Sequence, residues 1–335
     1  MERLPDRVAM ALLLSLFPVP LLDDVLRASG RAGVRRRTLP ARLVLYHVLA
    51  LALFSDRNYA QVMRLLLDGL SWSSHDLRTF DAAPSVSAIS RARARLGPDP
   101  LRMLFERTTP RPPPRPGPLF GGLRGLSLDG VSLDVAGSRE NASLGYPAPT
   151  APFPQIRVVA LADSTTHALL DATLGACGTP DATLTDRLLR GVRPGTLLAM
   201  PLSARSPGLL RAADRRGAHL LLGGGPDETR RGLRTVRTAN GVLHTTLDPG
   251  RATASALAAC YARRWTIAPA LAWLRPAPAG GVALRSRNPE MVVQEVWALL
   301  CLYQALNALT CQSSATEHLK KNSWSTGRFS SAARR

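Results

Sequence analysis

The sequence has almost no lysine and few aromatic residues. Only Lys320 and Lys321 are lysines among its 43 basic residues, and aromatic residues make up 5% of the chain. The 4 cysteines are scattered, with no C-x-x-C pair and no histidine at zinc-finger spacing, which argues against a disulfide framework and a structural zinc site. Isolated thiols are typical of a reducing compartment, so we expect a cytoplasmic protein.

Long hydrophobic runs are also missing. The apolar stretches at residues 43–54 and 296–309 are shorter than a bilayer span, and polar residues such as His47 and Gln304 interrupt them. The stretch at residues 8–17 lacks the basic flank and the small-residue cleavage site of a signal peptide. The sequence contains no phosphate-binding loop, dinucleotide fingerprint or serine-hydrolase elbow. We therefore predict buried core helices and no contact with a membrane.

The excess of basic residues is the strongest compositional feature. Lysine and arginine number 43 against 24 acidic residues, which gives a formal net charge of +19. Such a surplus attracts polyanions and raises non-specific affinity for phosphate, so nucleic acid is the first partner to consider. The alternative is codon bias in a GC-rich genome, which favours arginine over lysine.

The apolar pattern divides the chain. Residues 1–109 have helical spacing, which predicts helices near residues 5–17, 21–28, 39–54, 59–67, 87–96 and 100–108. Six prolines in the ten residues 109–118 cannot continue a helix and favour a stiff spacer. We predict a helical domain at 1–109, a linker at 110–118, a second domain at 119–310 and a basic tail at 311–335. A long surface loop within one domain is the alternative.

After the linker the pattern alternates as it does in strands. Strands are predicted at residues 125–136, 155–163, 167–175, 195–202, 219–222 and 242–247. Helices are predicted at residues 182–192, 207–217, 253–274, with a kink at Pro269, and 289–309. The segment 223–241 has no clear period, and the tail from residue 320 is expected to fray. Strands that alternate with helices indicate an α/β sheet.

Asp129 is the first candidate for chemistry. It lies in the middle of a predicted strand, between apolar residues and directly before Gly130. A carboxylate in a half-buried strand is costly unless it binds a cation or a hydrogen-bond donor. The alternative is a turn residue at the tip of a hairpin.

Two arginine-containing segments are candidates for phosphate contacts. Residues 84–96 begin with a serine cap and place Arg91 and Arg95 on one helix face, as in the second helix of a helix-turn-helix. The alternative is a solvated arginine face. Arg264, within residues 261–265, could also contact phosphate, and the alternative is an exposed arginine beside a core tryptophan.

Taken together, these segments resemble the insertion-element-four family of bacterial transposases over roughly residues 5–310. The blocks that carry the resemblance are residues 39–70, 84–96, 126–135, 153–161, 242–249, 261–265 and 284–297. The resemblance implies an N-terminal all-helical domain followed by an RNase H-like mixed sheet flanked by helices, with the family's insertion shortened to about residues 223–241. It also implies double-stranded DNA with terminal inverted repeats as the partner and Mg²⁺ as the cofactor, and it is compatible with a homodimer.

The resemblance also assigns the catalytic positions. In the family, two aspartates and a glutamate hold two divalent metal ions. The first carboxylate corresponds to Asp129, which would be the metal ligand, while Met200 and Ala268 stand at the positions of the other two. One carboxylate cannot neutralise two divalent ions. We therefore predict a transposase that is impaired in strand cleavage and transfer.

The family spacing Tyr-x2-Arg-x3-Glu-x6-Lys is matched by Tyr261 and Arg264, with Arg275 at the position of the lysine. These three residues, together with Arg91 and Arg95, are the predicted DNA-binding residues. The alternative function is a catalytically inactive DNA-binding remnant that occupies the element ends or represses transposition.

Overall fold

The computed structural model describes residues 4–32, 39–71, 83–110, 120–206, 208–224, 232–274 and 284–327. Most of the predicted linker, residues 111–118, and Arg275 lie outside these ranges. The described residues form a helical N-terminal region, one seven-stranded mixed sheet and helices that pack against the sheet. The predicted α/β class, with an all-helical region first, is confirmed.

Six helices form the N-terminal region, close to their predicted positions. They are α1 (Leu4–Leu16), α2 (Val19–Ala28), α3 (Ala41–Leu53), α4 (Tyr59–Ser71), α5 (Val86–Leu96) and α6 (Asp99–Thr108). Before α4, Asn58 and Gln61 cap each other: each side-chain oxygen accepts the other's backbone N–H at 2.9 Å. Before α5, the Ser85 hydroxyl accepts the N–H of Ala88 at 3.3 Å, as the serine cap predicts.

The sheet has the strand order β3-β2-β1-β4-β5-β7-β6. Its strands are β1 (Arg124–Asp134), β2 (Gln155–Asp163), β3 (Leu169–Ala176), β4 (Thr196–Pro201), β5 (His219–Gly223), β6 (Arg234–Thr238) and β7 (Gly241–Thr245). The first three strands are antiparallel neighbours, while β1, β4 and β5 run parallel. The accompanying helices are α7 (Asp181–Leu188), α8 (Leu209–Asp214), α9 (Ala254–Ala262), α10 (Ala268–Trp273) and α11 (Pro289–Gly327).

The segment 223–241, for which the sequence pattern predicted no element, contains strand β6. It pairs with β7 in an antiparallel hairpin. The turn consists of Ala239 and Asn240, and Gly241, which begins β7, has a φ of +116° that other residues rarely adopt. Strand β6 has Val236 as its one apolar residue, so the apolar pattern did not predict it.

The break in the predicted helix 253–274 begins earlier than expected. Helix α9 ends at Ala262 and a 3-10 helix occupies Arg263–Ile267, so Pro269 lies in the first turn of α10. The break therefore begins six residues before Pro269. The break turns Arg264 toward strand β1, where the functional residues lie.

The two faces of the sheet pack against different helices. Leu126 and Leu128 of β1 lie in a core with residues of α7 and α8. Val131 and Leu133, on the opposite face, belong to a core that includes α10, α11 and the N-terminal helices. Because side chains alternate along a strand, Asp129 lies on the same face as Val131.

The helical region and α11 share one hydrophobic core. Helices α3, α6 and α11 pack together, and their buried residues are continuous with those of the sheet. The hydrophobic core therefore extends across the compositional boundary at the linker, and the domain division stays a prediction.

Helix α11 continues to Gly327, beyond its predicted end and through the first part of the tail expected to fray. Its segment Pro289–Cys311 has the length and hydropathy of a membrane span, but 67% of its most apolar window is buried inside the protein. Burial against α3 and α6 accounts for that apolar surface.

Candidate functional site

The strand registers place Asp129 in a row with two residues of neighbouring strands. The pairing of β1 with β4 ends at Ser127 and Ala199, and the same register continued by two residues puts Asp129 level with Pro201. Pro201 in turn pairs with Gly223 of β5. Residues that are level in adjacent strands point to the same face. Asp129, Pro201 and Gly223 therefore cross β1, β4 and β5 on one face of the sheet.

Tyr261 and Arg264 cover this row. A side-chain carbon added at Gly223 would overlap the phenol ring of Tyr261, so the absence of a side chain lets the ring lie directly on β5. The guanidinium carbon of Arg264 lies 5.2 Å from the centre of that ring, within cation–π distance. Burial raises the pKa of the Tyr261 hydroxyl, the charge of Arg264 opposes the rise, and Asp129 adds to it.

Arg264 forms an ion pair with Asp129. Its Nη1 donates to Oδ2 of the carboxylate, and the backbone N–H of Gly130 donates to Oδ1 at 2.8 Å. The side chain of Arg264 is 5% exposed and that of Asp129 is 22% exposed. Both carboxylate oxygens are thus bonded within the protein, and the negative charge of Asp129 is neutralised by a buried guanidinium.

Met200 lies on the other side of the sheet. It is fully buried and packs with Leu128, Leu198 and Leu222 in the core beneath α7 and α8. The assignment of Met200 to the position of a missing carboxylate rests on the order of residues in the sequence and stays a prediction. Residues one apart on a strand point to opposite faces, so the residue of β4 level with Asp129 is Pro201.

Ala268, the other position assigned to a missing carboxylate, is the first residue of α10 and is half-buried. The nearby carboxylate of Asp163 does not replace it. Asp163 lies opposite Leu126 at the far end of β2, accepts both guanidinium donors of Arg124, at 2.7 and 2.9 Å, and caps its own turn. Burial raises its pKa, but the hydrogen bonds from Thr166 and Arg124 outweigh burial, and the pKa lies below its usual value.

The residues present do not fit a two-metal centre. In the part of the chain that the structure describes, no group of three histidine, cysteine, aspartate or glutamate side chains is placed to hold a metal ion. Divalent cations such as Mg²⁺ need several oxygen ligands, usually including carboxylates. Asp129 alone, with Arg264 on its carboxylate, is a poor donor set for such an ion. No catalytic step through a metal follows from this geometry.

The arginines of α5 have different roles. Arg91 and Arg95 are exposed, as predicted for phosphate contacts. Arg93, between them, is fully buried: it donates to the side chain of Gln294 at 3.1 Å and to the hydroxyl of Tyr59. Sequence reasoning missed this role of Arg93. The available signal was its position on the helix face that carries the core residues of α5.

Of the other predicted DNA-binding residues, Arg264 and half-buried Tyr261 lie beside Asp129. Arg264 is buried and bonded to that carboxylate, and its contact with phosphate stays a prediction. Arg275 lies outside the described residues. The exposed candidates are therefore Arg91 and Arg95.

The order β3-β2-β1-β4-β5, with three antiparallel strands followed by two parallel ones and an aspartate on the central strand, defines an RNase H-like nuclease or transposase core. Residues 7–106 match the family model described as insertion element 4 transposase N-terminal, and residues 121–305 match the model described as transposase DDE domain. The chain belongs to this family of insertion-sequence DDE transposases, and the predicted family is confirmed.

Two known proteins illustrate the relationship. Transposase InsG for insertion sequence element IS4 of Escherichia coli (strain K12) is 25% identical over 347 residues, which cover 90% of this chain and 76% of the relative. The piggyBac transposase, in a synaptic complex with hairpin DNA, superposes with a TM-score of 0.52 at 10% identity, covering 92% of this chain and 76% of that one. The second likeness shows the fold alone. DDE transposases as a family depend on divalent metal ions.

Proposed function

We propose that this insertion-sequence transposase binds DNA but has lost most of its capacity to cut and join strands. One observation carries the proposal: the carboxylate of Asp129 is bonded to the buried guanidinium of Arg264. Mg²⁺, the cofactor that the family resemblance implies, would have to displace that guanidinium and would find Pro201 and Gly223 as the level residues of the neighbouring strands. Neither supplies a side-chain oxygen.

Binding does not require Asp129. Arg91 and Arg95 are exposed on α5, which packs through its buried face against α3, α4 and α11. A rigid helix with two arginines four residues apart is suited to contact with a phosphate backbone. We propose the terminal inverted repeats of the element as the target, because the chain retains the family's N-terminal region over residues 7–106.

The assembly and compartment form part of the same proposal. The solved piggyBac transposase structure is a synaptic complex with hairpin DNA. By analogy, we propose that the present chain forms a homodimer that holds two element ends. All 4 cysteines are free, which supports a cytoplasmic protein. A dimer that binds the two ends without cutting them would occupy the sites that active transposase copies use. It would therefore repress transposition by those copies.

The test compares binding with cleavage on a labelled duplex that carries the element's end. We expect a mobility shift that persists in excess chelator, and no nicked or joined product when Mg²⁺ or Mn²⁺ is added. The D129A variant is the control for cleavage and should bind as the unchanged protein does. Metal-dependent cleavage that D129A abolishes would overturn the loss of catalysis.

The R91Q/R95Q variant tests the binding half. We expect weaker binding and a shallower dependence of affinity on salt, because each phosphate that the protein no longer neutralises removes about 0.9 from the slope of log affinity against log salt concentration. Unchanged affinity and slope would exclude α5 from the interface. Failure of the unchanged protein to shift any duplex would overturn DNA binding itself.

A further inference from the structure

Two loops at the amino ends of β4 and β5 are held against each other. The backbone N–H of Gly195, before β4, donates to the carbonyl of Gly217, before β5, at 2.9 Å. A side-chain carbon built on Gly217 would lie 3.4 Å from the Cβ of Pro194, so the loops also touch through their non-polar atoms. Because both loops are fixed by the sheet and by each other, their side chains hold a fixed spacing.

These loops and a neighbouring 3-10 helix carry a concentration of arginines, here called the arginine edge. Its members are Arg190, Arg193, Arg215, Arg216 and Arg251. All are exposed except Arg216, which is half-buried. The edge belongs to strands β4 and β5 at the ends opposite to Pro201 and Gly223, where Asp129 lies.

The arginines of the edge are not held in ion pairs with any residue that the structure describes. In the described part of the chain, none of its five arginines forms an ion pair with a carboxylate. Arg216 donates to the carbonyl of Ala212 at 3.3 Å, and Arg251 contacts His219 Nε2 at 3.2 Å. Burial and then the charge of Arg251 lower the pKa of His219, while Asp248 opposes the shift.

A neighbouring arginine outside the edge has a carboxylate partner. Arg124, at the start of β1 beside Gly195, is paired with Asp163. The edge differs, because its arginines come together where two loops meet and, among the described residues, none of them is paired in this way.

We propose that the arginine edge is a second DNA-binding surface, which holds the phosphate backbone of duplex DNA away from Asp129. This inference rests on the proposed DNA-binding function and adds a site to it. Arginine suits the partner because its planar guanidinium donates two parallel hydrogen bonds to phosphate and remains charged at all physiological pH values. Pro201 is six positions after Gly195, a distance of about 20 Å along the strand. Contact at the edge therefore requires neither Asp129 nor a metal ion.

The test uses the full chain with four edge arginines neutralised, R190Q/R193Q/R215Q/R216Q. Its matched control loses the same charge from exposed arginines elsewhere, R102Q/R107Q/R139Q/R287Q. Affinity for a random-sequence duplex is measured over a range of salt concentrations in chelator. We expect the edge variant to bind at least about tenfold more weakly and its salt slope to fall by about 2 to 3, because it neutralises several fewer phosphates. The control should change less on both measures.

Three other outcomes would contradict the proposal. Equal losses of affinity in the edge variant and the control would overturn the edge and attribute binding to net charge. A preference of the edge for double-stranded RNA over DNA of the same length would overturn DNA as the partner. If the unchanged protein did not bind DNA, the proposed function would be overturned together with the edge. Failure of the edge alone is therefore distinguishable from failure of the proposed function. Thermal melting of both variants checks the fold, and R193Q/R215Q provides a milder version that should show the same trend.

Discussion

The guanidinium of Arg264 donates a hydrogen bond to the carboxylate of Asp129, a residue 135 positions earlier in the chain. The contact joins strand β1 to the 3-10 helix that follows α9. It depends on a tyrosine ring that lies on Gly223 and on a helix break that turns Arg264 toward the sheet. The sheet thus places a cationic side chain on the one carboxylate of this row.

The ion pair between Arg264 and Asp129 should be measurable as a coupling energy between substitutions of the two residues. R264Q leaves the Asp129 carboxylate without its charged partner and should lower the free energy of unfolding by about 1 to 3 kcal/mol. D129N in the same background should recover part of that loss, because the uncompensated charge is gone. Urea unfolding of both single variants and the double variant gives the coupling energy. Strictly additive effects would show that the two side chains do not interact in solution.

An aspartate should cost much more folding stability in place of Met200 than in place of its neighbour Pro201. M200D places a charge in the core beneath α7 and α8 and should cost more than about 3 kcal/mol of stability or prevent folding. P201D faces the side of Asp129 and is half-buried, so we expect a cost below about 1.5 kcal/mol. Chemical unfolding compares them. Similar costs would contradict the strand register that places Met200 on the far face.

Gly223 should not tolerate a methyl group. In G223A the new side-chain carbon overlaps the ring of Tyr261, which must move and take Arg264 with it, at a cost of about 1 to 3 kcal/mol. The matched control is G137A, whose added carbon has no neighbour within 4 Å and should change stability by less than about 0.5 kcal/mol. Thermal and urea unfolding provide the comparison. Equal stability of the two variants would show that the ring does not rest on β5.

His47 should make the protein less stable in mild acid. Burial lowers the pKa of His47 from 6.5 to about 3, and its Nε2 is 3.1 Å from the carbonyl of Tyr59. The unfolded chain binds a proton below pH 6.5 while the folded protein does not, so this contribution is complete above pH 6.5 and is lost as the pH falls toward 3. Between pH 8 and pH 5 the loss attributable to His47 is about 2 kcal/mol.

The H47Q variant isolates that effect. Its amide retains a donor for the Tyr59 carbonyl but has no group that titrates in this range. The difference in unfolding free energy between the unchanged protein and H47Q should therefore shrink by about 2 kcal/mol from pH 8 to pH 5. A difference that stays constant with pH would show that His47 is protonated in the folded state.

Local signals in the sequence were sufficient for most elements. Apolar spacing predicted the six N-terminal helices near their observed bounds, and strand-like patterns predicted β1, β2 and β5. Strand β6 was missed because Val236 is its one apolar residue. The early break in the helix after α9 did not follow from the position of Pro269 alone. Helix breaks depend on which turn can shift against its neighbours, and this is a property of packing.

Periodicity, composition and ordered blocks of residues were enough to predict most of the helices and strands, the basic surplus, the family and the candidate Asp129. The folded arrangement was needed to show which residues share a face with that aspartate: Pro201 rather than Met200, and Arg264 as its charged partner. Strand register and the direction of a helix break arise from contacts between residues far apart in the chain, and no local pattern records them. For the same reason, the arginine edge became visible only where two loops from different strands meet.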